Sequence, residues 1–78
     1  IHLKIKGTVD FSLSAIFGKV NFRYSQFSQP ASFSLSQFTQ FADFSDSYFK
    51  HPADFSNSNF YQAVDFSGAK FDQNAYLP

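Results

Sequence analysis

The chain has no cysteine, no methionine and no tryptophan, only three glycines and three prolines, and just 15% charged residues among its 78. Each shortage excludes something. Without cysteine no disulfide can staple the fold and no thiolate zinc site can form. Zero cysteines fit any redox compartment, with the cytoplasm slightly favoured. The longest apolar run is Ala15-Ile16-Phe17, too short for a transmembrane helix or a signal-peptide core. Gly7, Gly18 and Gly68 are too scattered to make a phosphate-binding loop. Six cations balance six anions, so nothing draws the chain broadly to DNA or to an anionic membrane. The charges are nevertheless uneven. Residues 1–40 hold Lys4, Lys6, Lys19 and Arg23 against Asp10, and residues 41–78 hold Lys50 and Lys70 against five aspartates. The two halves thus differ in sign. The chain opens on Ile1, as a fragment or a processed form would.

What the chain does have is phenylalanine, 13 residues, with twelve serines and six glutamines. The phenylalanines are spaced, not scattered. Steps of five and six, taken alternately from Phe11, land on Ile16, Phe22, Phe27, Phe33, Phe38, Phe44, Phe49, Phe55, Phe60, Phe66 and Phe71. A further step of five reaches Tyr76, and a step of six backwards from Phe11 reaches Ile5. Only Phe17 and Phe41 lie off this ladder. Two residues before each rung from Phe11 to Tyr76 stands Ala, Ser, Val or Asn. The unit is therefore eleven residues, two pentads and one extra residue, as in Ala53-Asp54-Phe55-Ser56-Asn57-Ser58-Asn59-Phe60-Tyr61-Gln62-Ala63. A self-similar unit of this kind marks a repeat architecture.

Neither regular helix nor simple strand accommodates these steps. At about 100° per residue, steps of five and six throw successive rings to nearly opposite sides of a helix. The period is not two, so one long strand fails as well. A chain that turns a corner after each rung solves the problem. Each ring then points inward beside the small residue two positions earlier, because residues two apart on an extended segment share a face. Stacked coils would align the rings into columns.

Ala-Asp-Phe-Ser at 42–45 and 53–56 and Val-Asp-Phe-Ser-Gly-Ala-Lys-Phe at 64–71 carry a family resemblance. Over about residues 9–76 the chain resembles the pentapeptide-repeat proteins, in particular a phenylalanine-rich branch with alternating five and six spacing. The resemblance implies an all-β fold, a right-handed four-sided parallel β-helix, from a bacterial source. Two coil lengths fit the spacing: 22 residues in a four-sided coil, or 11 in a flattened two-sided solenoid. An 11-residue coil would stack Asp43, Asp54 and Asp65 directly, and like charges in adjacent registers repel. A 22-residue coil puts Asp54 opposite the other two, which favours four sides. Residues 1–78 are expected to form one solenoid domain. Within it residues 1–8 alternate like a strand and are expected to cap one end, with repeats over 9–76.

The serine after the first ring of most units reads as turn chemistry, its hydroxyl bonding nearby backbone. The regular aspartates read as solvated turn residues, and Ser14, Ser25, Ser36, Ser47 and Ser58 as inward-facing. His2 and His51 are far apart and show no metal-ligand spacing. The expected protein is not an enzyme and takes no cofactor, metal or small-molecule substrate. It is a structural or protein-protein interaction module, docking a protein partner or a second copy through a solenoid end, with no nucleic acid and no membrane insertion. The resemblance offers one alternative, a DNA-mimicking protein that binds the topoisomerase gyrase. Phe17 and Phe41, off the ladder in spacers expected to face outward, are the candidate contact surface.

Overall fold

A computed structural model describes residues 3–78. The described residues contain strands and turns and no helix. Fourteen two-residue strands follow one another: β1 Lys4–Ile5, β2 Val9–Asp10, β3 Ala15–Ile16, β4 Val20–Asn21, β5 Gln26–Phe27, β6 Ala31–Ser32 and β7 Gln37–Phe38. Then come β8 Ala42–Asp43, β9 Tyr48–Phe49, β10 Ala53–Asp54, β11 Asn59–Phe60, β12 Val64–Asp65, β13 Lys70–Phe71 and β14 Ala75–Tyr76. They stack into four parallel sheets, β1-β5-β9-β13, β2-β6-β10-β14, β3-β7-β11 and β4-β8-β12. We call these sides A, B, C and D of one coil. Lys4 pairs with Gln26 and Ala15 with Gln37, so the coil repeats every 22 residues and the flattened 11-residue alternative does not occur.

The backbone explains how such short strands hold. In each parallel ladder the N–H groups run alternately to the coil before and the coil after. On sides A and C the bonds that flank the strands run to the coil before, as in Gln26 to the Leu3 carbonyl and Gln37 to that of Ser14. On sides B and D the flanking bonds run to the coil after, as in Phe11 to Ser32 and Phe22 to Asp43. A strand of two residues makes few bonds by itself, but each is continued by the same strand in the next coil.

Inside, the rings form four columns. Phe27, Phe49 and Phe71 stack at 4.4 and 4.9 Å with planes within 7°. Phe33 and Phe55 stack at 5.0 Å, and Phe38 and Phe60 at 4.5 Å. Phe22, Phe44 and Phe66 make the fourth column, at 5.6 and 5.4 Å. Rings of neighbouring columns meet edge to face, as Phe44 does with Phe33 and Phe55 at 74° and 79°. Both arrangements suit the aromatic quadrupole. Phe27, Phe33, Phe38, Phe44, Phe49 and Phe55 are fully buried, while Ile16, Phe22, Phe60, Phe66 and Phe71 are half-buried. Ala31, Ala42 and Ala53 and the serines 25, 36, 47 and 58 fill the narrow spaces beside them. The buried hydroxyls are satisfied: Ser47 and Ser58 donate to the carbonyls of Phe44 and Phe55 at 2.6 and 2.7 Å, and Ser36 donates to that of Phe11.

Three expectations need correction. Tyr76 is not a rung. It pairs with Asp54, points outward and is 52% exposed. The alternation calls for a step of six after Phe71, and that step ends on Leu77, below Phe55 in the same column. Ala75 pairs with Ala53 and takes the small position assigned to Asn74. Phe11 is a rung, stacked on Phe33 at 5.7 Å, but as the first ring of its column it is 43% exposed. The segment expected as a cap instead supplies β1, laid on β5 in the regular register, so residues 4 and 5 begin the first coil. Ile1 and His2 of that segment lie outside the described residues.

Candidate functional site

Two kinds of corner join the four sides. The corners from B to C and from D to A are tight. In five of the six, the first ring's carbonyl accepts the N–H three residues on, as Phe22 does from Ser25 at 3.0 Å and Phe44 from Ser47 at 3.3 Å. The residue two after the ring has positive φ: Leu13, Tyr24, Leu35, Asp46, Asn57 and Gly68, at 55–69°. These signs are those of a type II turn. The residue before the ring holds the turn from outside. Asp10, Asp43, Asp54 and Asp65 each accept the N–H of the serine two residues on, at 2.8–2.9 Å. The serine hydroxyl does not bond backbone as expected. In Ser12 and Ser56 it donates to the same carboxylate oxygen at 2.6 Å. The Ser12 and Ser67 hydroxyls, then their N–H groups, hold Asp10 and Asp65 below the usual carboxylate range, with Arg23 adding to the effect at Asp65. The aspartates are thus turn fasteners.

The corners from A to B and from C to D carry the extra residue and are three-residue spacers. They lie diagonally across the coil and differ in chemistry. The A-to-B spacers are Lys6-Gly7-Thr8, Ser28-Gln29-Pro30, Lys50-His51-Pro52 and Asp72-Gln73-Asn74. The C-to-D spacers are Phe17-Gly18-Lys19, Thr39-Gln40-Phe41 and Tyr61-Gln62-Ala63. Each C-to-D spacer carries one aromatic ring. Phe17 is 76% exposed, Phe41 38% and Tyr61 61%. The structure therefore brings the two rings that lie off the ladder to one edge and adds a third. Tyr61 was missed because the sequence was read in units of eleven. It stands two whole coils after Phe17, and a 22-residue reading would have found it.

Charge also sorts by side. Side A shows Lys4, Lys6, Lys50 and Lys70, and Tyr48 there donates a hydrogen bond to Asp72. That bond, followed by burial and the carboxylate's charge, raises the Tyr48 pKa. Side B shows Asp10 and Asp54, separated by Ser32. A groove of about 460 Å³ runs along it between Pro30 and Pro52 and the column of Asp10, Ser32 and Asp54. Side D shows Asp43 stacked on Asp65. Side C, with residues 11–18, 33–40 and 55–62, has no charged residue at all. Among the described residues no group of three or more His, Cys, Asp or Glu could hold a metal ion, and no helix is long and apolar enough to cross a membrane.

A coil of 22 residues with four parallel sheets, an inward ring and an inward small residue on every side defines a four-sided β-solenoid repeat protein. A family model described as pentapeptide repeats (9 copies) matches residues 44–77, and the same coil runs without a break through the residues before them. No curated protein and no solved structure matches the chain.

Proposed function

We propose that the chain is a non-catalytic interaction module that presents Phe17, Phe41 and Tyr61 to a protein partner. One observation carries this reading. In a fold that buries or stacks its other phenylalanines, three rings share one edge and face solvent. Nothing in the coil needs them there, since Thr39 and Ala63 occupy equivalent spacer positions. Exposed aromatic clusters are enriched at protein interfaces. The ends of the rod offer a second docking route, through the half-exposed Phe11 and the strand edges of the outermost coils. A DNA mimic is less well supported, because the lysines of side A and the uncharged side C interrupt any acidic surface; loss of gyrase supercoiling at excess protein would favour it. The edge is tested by placing a photo-crosslinking phenylalanine analogue at position 17 in cells, with the same analogue at Gln29 as control. One defined protein crosslinked at position 17, and lost with Tyr61→Ser, is the expected result. Equal labelling at both positions would overturn it.

A further inference from the structure

Side C differs from the other three in its fitness for self-contact. A second copy laid side A on side A would oppose lysines, and one laid B on B or D on D would oppose aspartates. Side C on side C opposes no charge on the face itself, with Lys19 at its edge in the column of Phe41. It is also arranged symmetrically about its own midline. Ala15, Gln37 and Asn59 form the central column, and two residues to either side of it lie Leu13 and Phe17 in the first coil, Leu35 and Thr39 in the second, Asn57 and Tyr61 in the third. A two-fold axis parallel to the rod turns the column two before the midline onto the column two after it, coil for coil.

We infer that the chain forms a parallel dimer through side C, a reading that rests on the proposed contact edge and names a second copy as its partner. Under that two-fold, Leu13 of each copy meets Phe17 of the other. Leu35 meets Thr39 with Phe41 beside it, and Asn57 meets the Tyr61 hydroxyl end. Leu13 and Leu35 are 77% and 54% exposed, so both edges of the side have apolar surface to cover. On the midline Gln37 faces Gln37 and Asn59 faces Asn59, and an amide can pair with itself because it carries both donor and acceptor. The contact is isologous and closes at two copies. The molecule spans 26 × 20 × 19 Å, so one side offers on the order of 400–500 Å² per copy, near the lower limit for a specific interface. A weak, concentration-dependent dimer follows, and one nearly indifferent to salt because no charge lies on the face itself and Lys19 stands only at its edge.

The test is sedimentation equilibrium of the whole chain from micromolar to millimolar concentration, at low and high salt, together with thiol crosslinking. The chain has no cysteine, so Gln37→Cys supplies a single reporter on the axis, with Gln29→Cys on the A-to-B spacer as control. Both positions are exposed and leave the core intact. Expected are a nearly salt-indifferent monomer–dimer equilibrium and crosslinking by a short bis-maleimide about tenfold faster for Gln37→Cys than for the control. Leu13→Glu with Leu35→Glu should weaken the dimer on the order of 30-fold or more, with circular dichroism unchanged. A monomer at the highest concentration, equal crosslinking at both positions, or an association abolished by salt would overturn the dimer. A monomer that still crosslinks a different protein through position 17 would sink the dimer alone and leave the contact edge standing.

Discussion

The first and second coils share one plan, yet they are enclosed to different degrees. In the second, Phe27, Phe33, Phe38 and Phe44 are at most 1% exposed. In the first, the equivalent Ile5, Ile16 and Phe22 are half-buried and Phe11 is 43% exposed. The turn geometry is the same in both, since Leu13 and Leu35 have φ of 59° and 57°. The lesson is that corners are local and cores are shared. A coil makes its own turns, but it closes its own core only when another coil lies on each side.

The comparison can be broken most forcefully at the rings. Phe44→Ala should cost about 3–5 kcal/mol in urea denaturation, since it removes a ring stacked on both faces. Phe22→Ala, in the same column but half-buried, should cost roughly half as much. Equal losses would show that the first coil is covered in solution. Next come the fasteners. Asp54→Ala removes two hydrogen bonds to Ser56 and should cost about 1 kcal/mol, with a smaller loss for Asp10→Ala on the exposed first coil.

The turns sharpen the comparison from the other side. Leucine at positive φ is strained, and glycine relieves the strain while loosening the unfolded chain. Leu35→Gly and Leu13→Gly should each stabilise by about 0.5–1 kcal/mol at micromolar protein, by equal amounts if the term is local. A gain in one coil only would refute that locality. The smallest effect concerns pH. Asp10 and Asp65 titrate below their unfolded values, so their contribution is complete above about pH 4 and is lost as the pH falls through their folded values. Thermal midpoints should fall on acidification below about pH 4, and less so in Asp10→Asn with Asp65→Asn.

Much of the fold was legible in the sequence because a stacked core selects side chains by size at fixed intervals. Phe and its small partner repeat where the coil repeats, and the stacking of Asp43 with Asp65, but not Asp54, separated the two coil lengths. The misreading at Tyr76 came from the last step, where only one residue of spacing distinguished an aromatic from Leu77. The positive-φ positions were hidden because only Gly68 of the six announces one; asparagine and aspartate tolerate that region and leucine and tyrosine do not advertise it. The contact edge was half legible. Phe17 and Phe41 stood out by leaving the ladder, whereas Tyr61 and the uncharged side C emerge only when residues 22 apart are placed in one column. Charges counted along the chain gave two halves of opposite sign, and counted by side they give one basic, one uncharged and two acidic surfaces.

The alternating directions of hydrogen bonding within each ladder have an electrical consequence. Within every parallel ladder the peptide groups point alternately to the coil before and the coil after, so their dipoles largely offset one another along the rod. An α-helix accumulates a positive and a negative pole as it grows. This rod accumulates neither. Whatever field it projects comes from its side chains and is therefore radial, fixed by which residue stands on which side, and a further coil lengthens the rod without polarising it.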